Sequence, residues 1–221
     1  MATYNELIYN VKNLFQGGIG SDDYNVSDLQ VLFILNYLRA KLIREDRMKG
    51  RSLSPFLTQE ICLDMELTDK SECCIKTDCY ILKSKQQVPK VIEVYDRLLV
   101  SFVGSIDYEV PFPLGSETKL RWAKYNKYTS NALRSFLRNG YLYLVNDTDV
   151  EKVTFQAVFE QPQDTAGFKN CSGKPCFSYD DEYPVSAHMI PIMTKMIADN
   201  EMRYLNLVPP DVTNNAMSDN T

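Results

Sequence analysis

The chain has 221 residues, of which 44% are hydrophobic and 24% are charged, so it is long enough for one sizeable core that folds without covalent cross-links. Its 24 basic and 29 acidic residues give a net charge of -5. That balance disfavours a dedicated nucleic-acid binder, because such proteins carry a basic excess that neutralises phosphates. The first residues lack a basic segment followed by an apolar stretch, and no window approaches about 18 uninterrupted apolar residues, so we expect neither export nor a membrane span.

Residues 1–50 are predicted to form a helical hairpin. Apolar side chains recur at helical spacing over residues 4–15, and a second helix is predicted over residues 28–48. Ser27 stands where an N-cap is needed, and Gln30 follows at the spacing of a capping box.

The centre of the second helix is unusually apolar. Its segment "VLFILNYL", residues 31–38, is apolar on almost every side. A helix of this kind must be covered on every side, either by its own chain or by a neighbouring subunit. The sequence leaves both alternatives open.

Residues 51–183 are predicted to form an antiparallel β domain, either a sandwich or a barrel. From Leu57 onward the apolar pattern alternates, β-branched and aromatic residues are frequent, and the spacing of turns indicates six to eight strands. Two alternating segments flank Asn139-Gly140, a dipeptide typical of a type I′ hairpin turn. A long loop is predicted at residues 161–182, which are polar and contain Gly and Pro.

Residues 184–221 are predicted to form a last helix followed by an extended docking tail. Pro191 is compatible with this helix only if it lies near the first turn. The final segment "VPPDVTNNAMSDNT" has no periodicity, which favours a tail that docks on another surface. The predicted fold class is therefore α+β, with an N-terminal helical hairpin, a central antiparallel β-body, and a C-terminal helix and tail.

Signals for catalysis are weak, and we predict that the protein is not an enzyme. The one histidine, His188, falls at the start of the predicted last helix, and no phosphate-binding loop or nucleophile elbow is present. Acidic residues cluster at Asp22-Asp23 and at 180–182, where each precedes a predicted helix and opposes its positive end. A hydrolase that uses these carboxylate clusters would require Asp180, Asp181 or Asp22 to converge on one cleft.

The cysteines allow one metal hypothesis. Two pairs with equal spacing, Cys74 with Cys79 and Cys171 with Cys176, could together supply four thiolates to zinc, although the usual zinc knuckle is tighter. In a reducing compartment we expect buried thiols that act as small apolar groups, no disulfide and no cofactor. The zinc set stays as the alternative.

The segment from Lys119 to Arg138 is locally basic and is interleaved with aromatic residues. Its simplest interpretation is the solvated face of an amphipathic element, and nucleic-acid contact is the alternative. A zinc-stapled β-domain that binds nucleic acid or a peptide through this strip is therefore the second functional hypothesis.

Several stretches between about residues 55 and 205 look familiar as a set, and they read "CCIKTDCYILKSKQQVPKVIE", "FVGSIDYEVPF", "RWAKYNKYTSNALRSFLRNGYLYLVN", "VTFQAVFEQP" and "DDEYPVSAHMIPIMTKMI". They resemble virion structural proteins of tailed bacteriophages, most of all those of crAss-like phages, including the ring proteins stacked beneath the portal. They are strands and turns and contain no chemical signature.

The resemblance implies a non-enzymatic subunit that forms a ring around the DNA channel, in the head-tail connector or tail barrel next to the portal. It also implies twelve-fold symmetry, contacts with the portal and with neighbouring ring or tail proteins, transient passage of DNA, no membrane, and assembly in the bacterial cytoplasm. A baseplate or other tail position is the alternative. Ring contacts are predicted on the second helix and in the tail, at Leu32, Phe33, Leu35, Tyr37, Val208, Pro209 and Pro210.

Overall fold

The computed structural model describes residues 2–15, 26–68, 81–95, 97–116, 125, 132–146 and 149–201. Within these residues the α-helices are α1 (Tyr4–Phe15), α2 (Asp28–Met48) and α3 (Met189–Met196). The strands are β1 (Gln59–Leu67), β2 (Ile81–Ser84), β3 (Glu93–Val94), β4 (Arg97–Leu98), β5 (Val100–Gly104), β6 (Arg134–Arg138), β7 (Tyr141–Val145) and β8 (Lys152–Ala157). The α+β fold class is confirmed.

Six strands form one antiparallel sheet that is almost closed into a barrel. Their order is β5-β8-β1-β2-β7-β6, and residues 111–115 run between the two edge strands. On one side the Phe112 amide donates to the Val103 carbonyl of β5 at 2.7 Å. On the other side the Gly115 amide donates to the Ser135 carbonyl of β6 at 2.8 Å. Both edges are therefore paired, which removes the exposed strand edges that favour aggregation.

The barrel interior is filled with side chains. Strand β1 turns Ile61, Leu63 and Met65 inward, as the two-residue period of a strand requires. Alternate residues of β7 and β8 complete the filling, including Leu142, Leu144, Val153, Phe155 and Ala157. A barrel of this size has no channel of its own.

The predicted β6-β7 hairpin is confirmed. Arg138 pairs with Tyr141 across a two-residue turn, and Asn139 and Gly140 have φ angles of 52° and 79°. Two consecutive positive φ angles define the turn that Asn-Gly favours.

The three helices form a second apolar cluster on one side of the barrel. The predicted bounds of α1 and α2 are confirmed, and the Ser27 hydroxyl caps α2 by accepting from the Gln30 amide at 3.2 Å. Pro191 lies in the first turn of α3, where it was predicted to be tolerated. Residues of the β3-β4 region, such as Ile92 and Val94, belong to the same cluster and connect it to the sheet.

A buried arginine joins α2 to the barrel. The side chain of Arg39 is fully buried and donates to three backbone carbonyls, those of Pro184 at 2.5 Å, Phe159 at 2.8 Å and Leu57 at 3.3 Å. Burial lowers the pKa of this guanidinium, although the ordinary pKa of arginine is so high that it keeps its charge. The Tyr183 ring lies beside it, with its centroid 5.9 Å away.

The expectation that every cysteine stays reduced is wrong for two of them. Cys62 and Cys171 form a disulfide with a Cα–Cα distance of 5.0 Å. Because Cys62 lies between the inward residues Ile61 and Leu63, its side chain leaves the outer face of β1. The Cys62 amide also donates to the Lys169 carbonyl at 3.0 Å, so the loop that follows β8 is held against that face.

Candidate functional site

The centre of α2 is buried on all sides except one narrow stripe of large apolar residues. Leu29, Phe33 and Tyr37 are 72%, 64% and 58% exposed, whereas most other apolar residues of the helix are buried. We call these three residues the α2 stripe. Monomeric soluble proteins rarely leave several large apolar side chains together on one face unless that face binds a partner.

Helix geometry explains why these three residues share a face. They follow one another at intervals of four residues, and each interval turns a helix by only about 40° beyond a full turn. The same face continues through Lys41, which is exposed, and Arg44, which is partly exposed. The stripe is therefore apolar over the first half of α2 and is followed by the exposed side chains of Lys41 and Met48 and by Arg44, which is ion-paired with Glu160.

The four residues of α2 predicted as ring contacts divide into two groups. Phe33 and Tyr37 are exposed, whereas Leu32 and Leu35 are each only 2% exposed and pack inside the subunit's own core. When a helix is apolar on every side, its sequence does not indicate which side stays exposed in the folded subunit. The fold decides this, because α1, α3 and the barrel cover the side that carries Leu32 and Leu35.

Leu29 belongs to the stripe but was not predicted. It lies four residues before Phe33, so the spacing of residues 29, 33 and 37 already contained the signal. The predicted tail contacts Val208, Pro209 and Pro210 lie outside the described residues.

A buried polar network holds α2 on the side next to the stripe. The Tyr183 hydroxyl donates to the Asn36 side-chain oxygen at 2.9 Å, and the Asn36 amide group donates to Gln163 at 2.7 Å. Burial raises the pKa of Tyr183, so this phenol remains a neutral donor. Together with Arg39, the network fixes α2 in one orientation, and the stripe is held outward on a rigid element.

The acidic cluster at residues 180–182 lies beside α1 and not at the start of α3. The Asp180 carboxylate accepts from the Asn5 side chain at 2.8 Å, and the Asp181 carbonyl accepts from the Tyr4 amide at 3.3 Å. These residues support the first turn of α1, which is a structural role. Asp22, the remaining residue of the hydrolase hypothesis, lies outside the described residues.

His188 contacts an acidic side chain at the surface. Its Nε2 atom lies 3.4 Å from an Asp46 carboxylate oxygen, and both side chains are at least partly exposed. This contact connects the start of α3 to the last turns of α2.

The disulfide argues against the zinc site proposed as an alternative. Cys171 is bonded to Cys62, so it could bind a metal only after reduction, and Cys74 and Cys79 lie outside the described residues. Cys176 is a free thiol whose pKa is raised to about 11 by burial. Across the described ranges, no three His, Cys, Asp or Glu side chains are arranged to hold a metal ion.

Most of the basic strip at 119–138 lies outside the described residues. Its C-terminal part forms β6, where the Phe136 ring stacks on Tyr143 with centroids 5.0 Å apart. Phe136 therefore supports the pairing of β6 with β7.

A filled barrel, a rigid helical layer and an exposed apolar stripe are typical of a structural subunit that assembles with other subunits. The chain belongs to the family described as phage tail ring protein 2, whose match covers residues 6–220, and is a ring protein of crAss-like phages. No curated protein matches the chain. In the part of the chain that the structure describes, no helix is long and apolar enough to cross a membrane.

Proposed function

We propose that the protein is a non-enzymatic subunit that closes into a ring around the DNA channel, in the head-tail connector or tail barrel next to the portal. The observation that carries this proposal is the α2 stripe, an apolar face on a rigid helix that the subunit leaves uncovered. Twelve copies would follow the symmetry expected of the portal. The family match supports a ring protein of the phage tail as the general class.

The stripe has the composition of a contact surface. Phe33 and Tyr37 are large aromatic side chains that bury much area with few rotatable bonds, and such residues provide most of the binding energy in protein interfaces. Burying one of them is worth roughly 1.5–3 kcal/mol. A closed ring repeats this contact once per subunit, so modest energies at each contact add up to a stable assembly.

Charge is consistent with DNA passing through the ring. Affinity for DNA comes mainly from basic side chains near phosphates. A subunit with a net charge of -5 is therefore expected to bind passing DNA weakly. The proposal needs neither cofactor nor metal. It places assembly in the host bacterial cytoplasm and the finished ring in the virion, where the tail from residue 208 onward docks on the portal or on the next ring or tail protein.

Sedimentation velocity of the purified chain tests the role of the stripe. We expect the wild-type protein to form a discrete ring species, and a variant that combines Phe33→Glu with Tyr37→Glu to remain monomeric, because each carboxylate would be desolvated in the contact. Leu67→Glu is the matched control, since Leu67 is also exposed but lies at the far end of β1 from α2. A wild-type chain that stays monomeric at high concentration, or a double variant that assembles normally, contradicts the proposal.

Truncation tests the role of the tail. A chain that lacks residues 208–221 should still form rings but should be incorporated poorly into phage particles. Unchanged incorporation would remove the tail from the proposal and leave the α2 contact standing.

A further inference from the structure

The turn at residues 105–110, between β5 and the barrel-closing segment, is a second exposed apolar feature. It presents Ile106, Tyr108 and Val110, all of them at least 45% exposed. We call this turn the β5 tip. Together with the α2 stripe, it gives the subunit two different apolar surfaces.

The β5 tip is rigid because it is closed by several hydrogen bonds. The Ser105 amide donates to the Val110 carbonyl at 2.9 Å, and the Val110 amide donates to the Ser105 hydroxyl at 3.0 Å. The Tyr108 amide donates to the Ser105 carbonyl at 3.1 Å, and the Glu109 amide donates to the Asp107 carboxylate at 3.1 Å. A turn fixed in this way loses little conformational entropy on binding.

The barrel fixes the position of the tip. The Tyr108 ring packs against Phe102 of β5 with centroids 4.9 Å apart, and its hydroxyl donates to the Glu60 carboxylate of β1. That hydrogen bond raises the pKa of Tyr108 to about 12, which keeps the hydroxyl a donor at any physiological pH.

The tip and the stripe lie on different sides of the subunit. On a helix, Arg39 points about 120–160° away from Phe33 and Tyr37. Its guanidinium reaches inward to the carbonyl of Leu57, three residues before the Glu60 that holds the tip. Phe33 and Tyr37 therefore point away from the start of β1, whereas the tip is attached there through Glu60, so the two surfaces do not coincide, as a head-to-tail contact between copies requires.

The charges of the two surfaces are complementary. The tip carries two exposed carboxylates, those of Asp107 and Glu109, and hydrogen bonds from Ser105 and from the backbone hold the pKa of Asp107 below its usual range. The stripe continues into the exposed basic residue Lys41, whereas Arg44 beyond it is already ion-paired with Glu160 of its own chain. The apolar residues and the charges of one surface thus match those of the other.

We propose that the β5 tip of one copy packs on the α2 stripe of the next copy, so that Ile106, Tyr108 and Val110 cover Leu29, Phe33 and Tyr37. This inference rests on the proposed ring function and names both halves of its contact. Because the two halves differ, the contact does not close as a dimer and propagates from copy to copy until the ring is complete.

Photo-crosslinking within assembled rings tests this pairing. The substitution Phe33→p-benzoylphenylalanine places a reactive aromatic group in the stripe of full-length protein, and mixing ¹⁵N-labelled with unlabelled copies separates links between copies from links within one copy. We expect mixed-isotope links from position 33 to the peptide that contains residues 105–110. Rings whose links map to other peptides overturn the pairing but leave the ring function intact, whereas a chain that never forms rings contradicts the ring function itself.

A charge exchange provides a test that does not depend on the photoprobe. Lys41→Glu and Glu109→Lys should each weaken ring association roughly fivefold, because each places like charges in the contact, and the double variant should restore most of the loss. Both side chains are exposed, so neither change should alter folding. Additive losses without rescue overturn the pairing.

Discussion

Replacing Arg39 by methionine should destabilise the subunit strongly, because the side chain is fully buried and joins α2 to the barrel. Methionine fills a similar volume but donates no hydrogen bond, so the carbonyls of Pro184, Phe159 and Leu57 lose their guanidinium donor. Each buried carbonyl left without a partner costs about 1–3 kcal/mol. Two of the three hydrogen bonds are short, and the third is long at 3.3 Å and contributes less. We therefore expect the unfolding free energy to decrease by about 3–5 kcal/mol.

Urea unfolding followed by far-ultraviolet circular dichroism measures this loss. Arg39→Lys is the first control, and it should recover only part of the stability because one ammonium group cannot reach three carbonyls in fixed directions. Lys41→Met is the second control, since Lys41 is exposed on the same helix and its loss should change stability by less than about 0.5 kcal/mol. A loss below about 1 kcal/mol for Arg39→Met would refute the reasoning.

Three further substitutions or treatments have expected outcomes. Reducing the Cys62–Cys171 disulfide, which spans 109 residues, should lower the unfolding free energy by about 4–5 kcal/mol. Equal midpoints of urea unfolding with and without reductant would contradict this. Burial raises the pKa of Glu160, but hydrogen bonds from Lys90 and Arg44 lower it by more. The unfolding free energy should therefore decrease as the pH falls below about 4.5, and it should decrease less in Glu160→Gln. Parallel pH profiles of the two proteins would count against this role of Glu160. Gly104→Ala should lower the midpoint of thermal unfolding and weaken ring association, because the added Cβ would lie 2.5 Å from the Val110 carbonyl oxygen. An unchanged midpoint would contradict the expectation that the β5 tip is held rigidly.

The sequence predicted the elements whose signals are local. Ser27 and Gln30 mark the start of α2 within one turn, and Asn139-Gly140 marks a hairpin within four residues. In both cases the backbone conformation is decided by side chains close by in the chain, so no knowledge of the tertiary fold is needed.

Features that depend on distant segments could not be predicted. The barrel closes through residues 111–115, which pair with strands on either side and have no strand pattern of their own. Arg39 lies in a strongly charged stretch that suggests a solvated surface, yet its position on the helix turns it toward three carbonyls from remote parts of the chain. The partner of Cys62 follows from the path of the loop after β8, which composition does not encode.

The residues of the candidate interface could be predicted only in part, because their exposure also depends on distant segments. The apolar character of α2 was evident in the sequence, and of the contact residues predicted from it the structure leaves Phe33 and Tyr37 exposed. Which apolar residues remain exposed depends on how α1, α3 and the barrel pack around the helix, and this packing left Leu29 outside and placed Leu32 and Leu35 inside.

Electron microscopy of the purified full-length chain tests the central claim most directly. Class averages of negatively stained protein should contain closed rings, with twelve subunits around an open centre, and these rings should be absent from the variant that combines Phe33→Glu with Tyr37→Glu. A field of single compact particles at every concentration, or rings of the same size from the double variant, would contradict the assignment of α2 as the ring-forming surface.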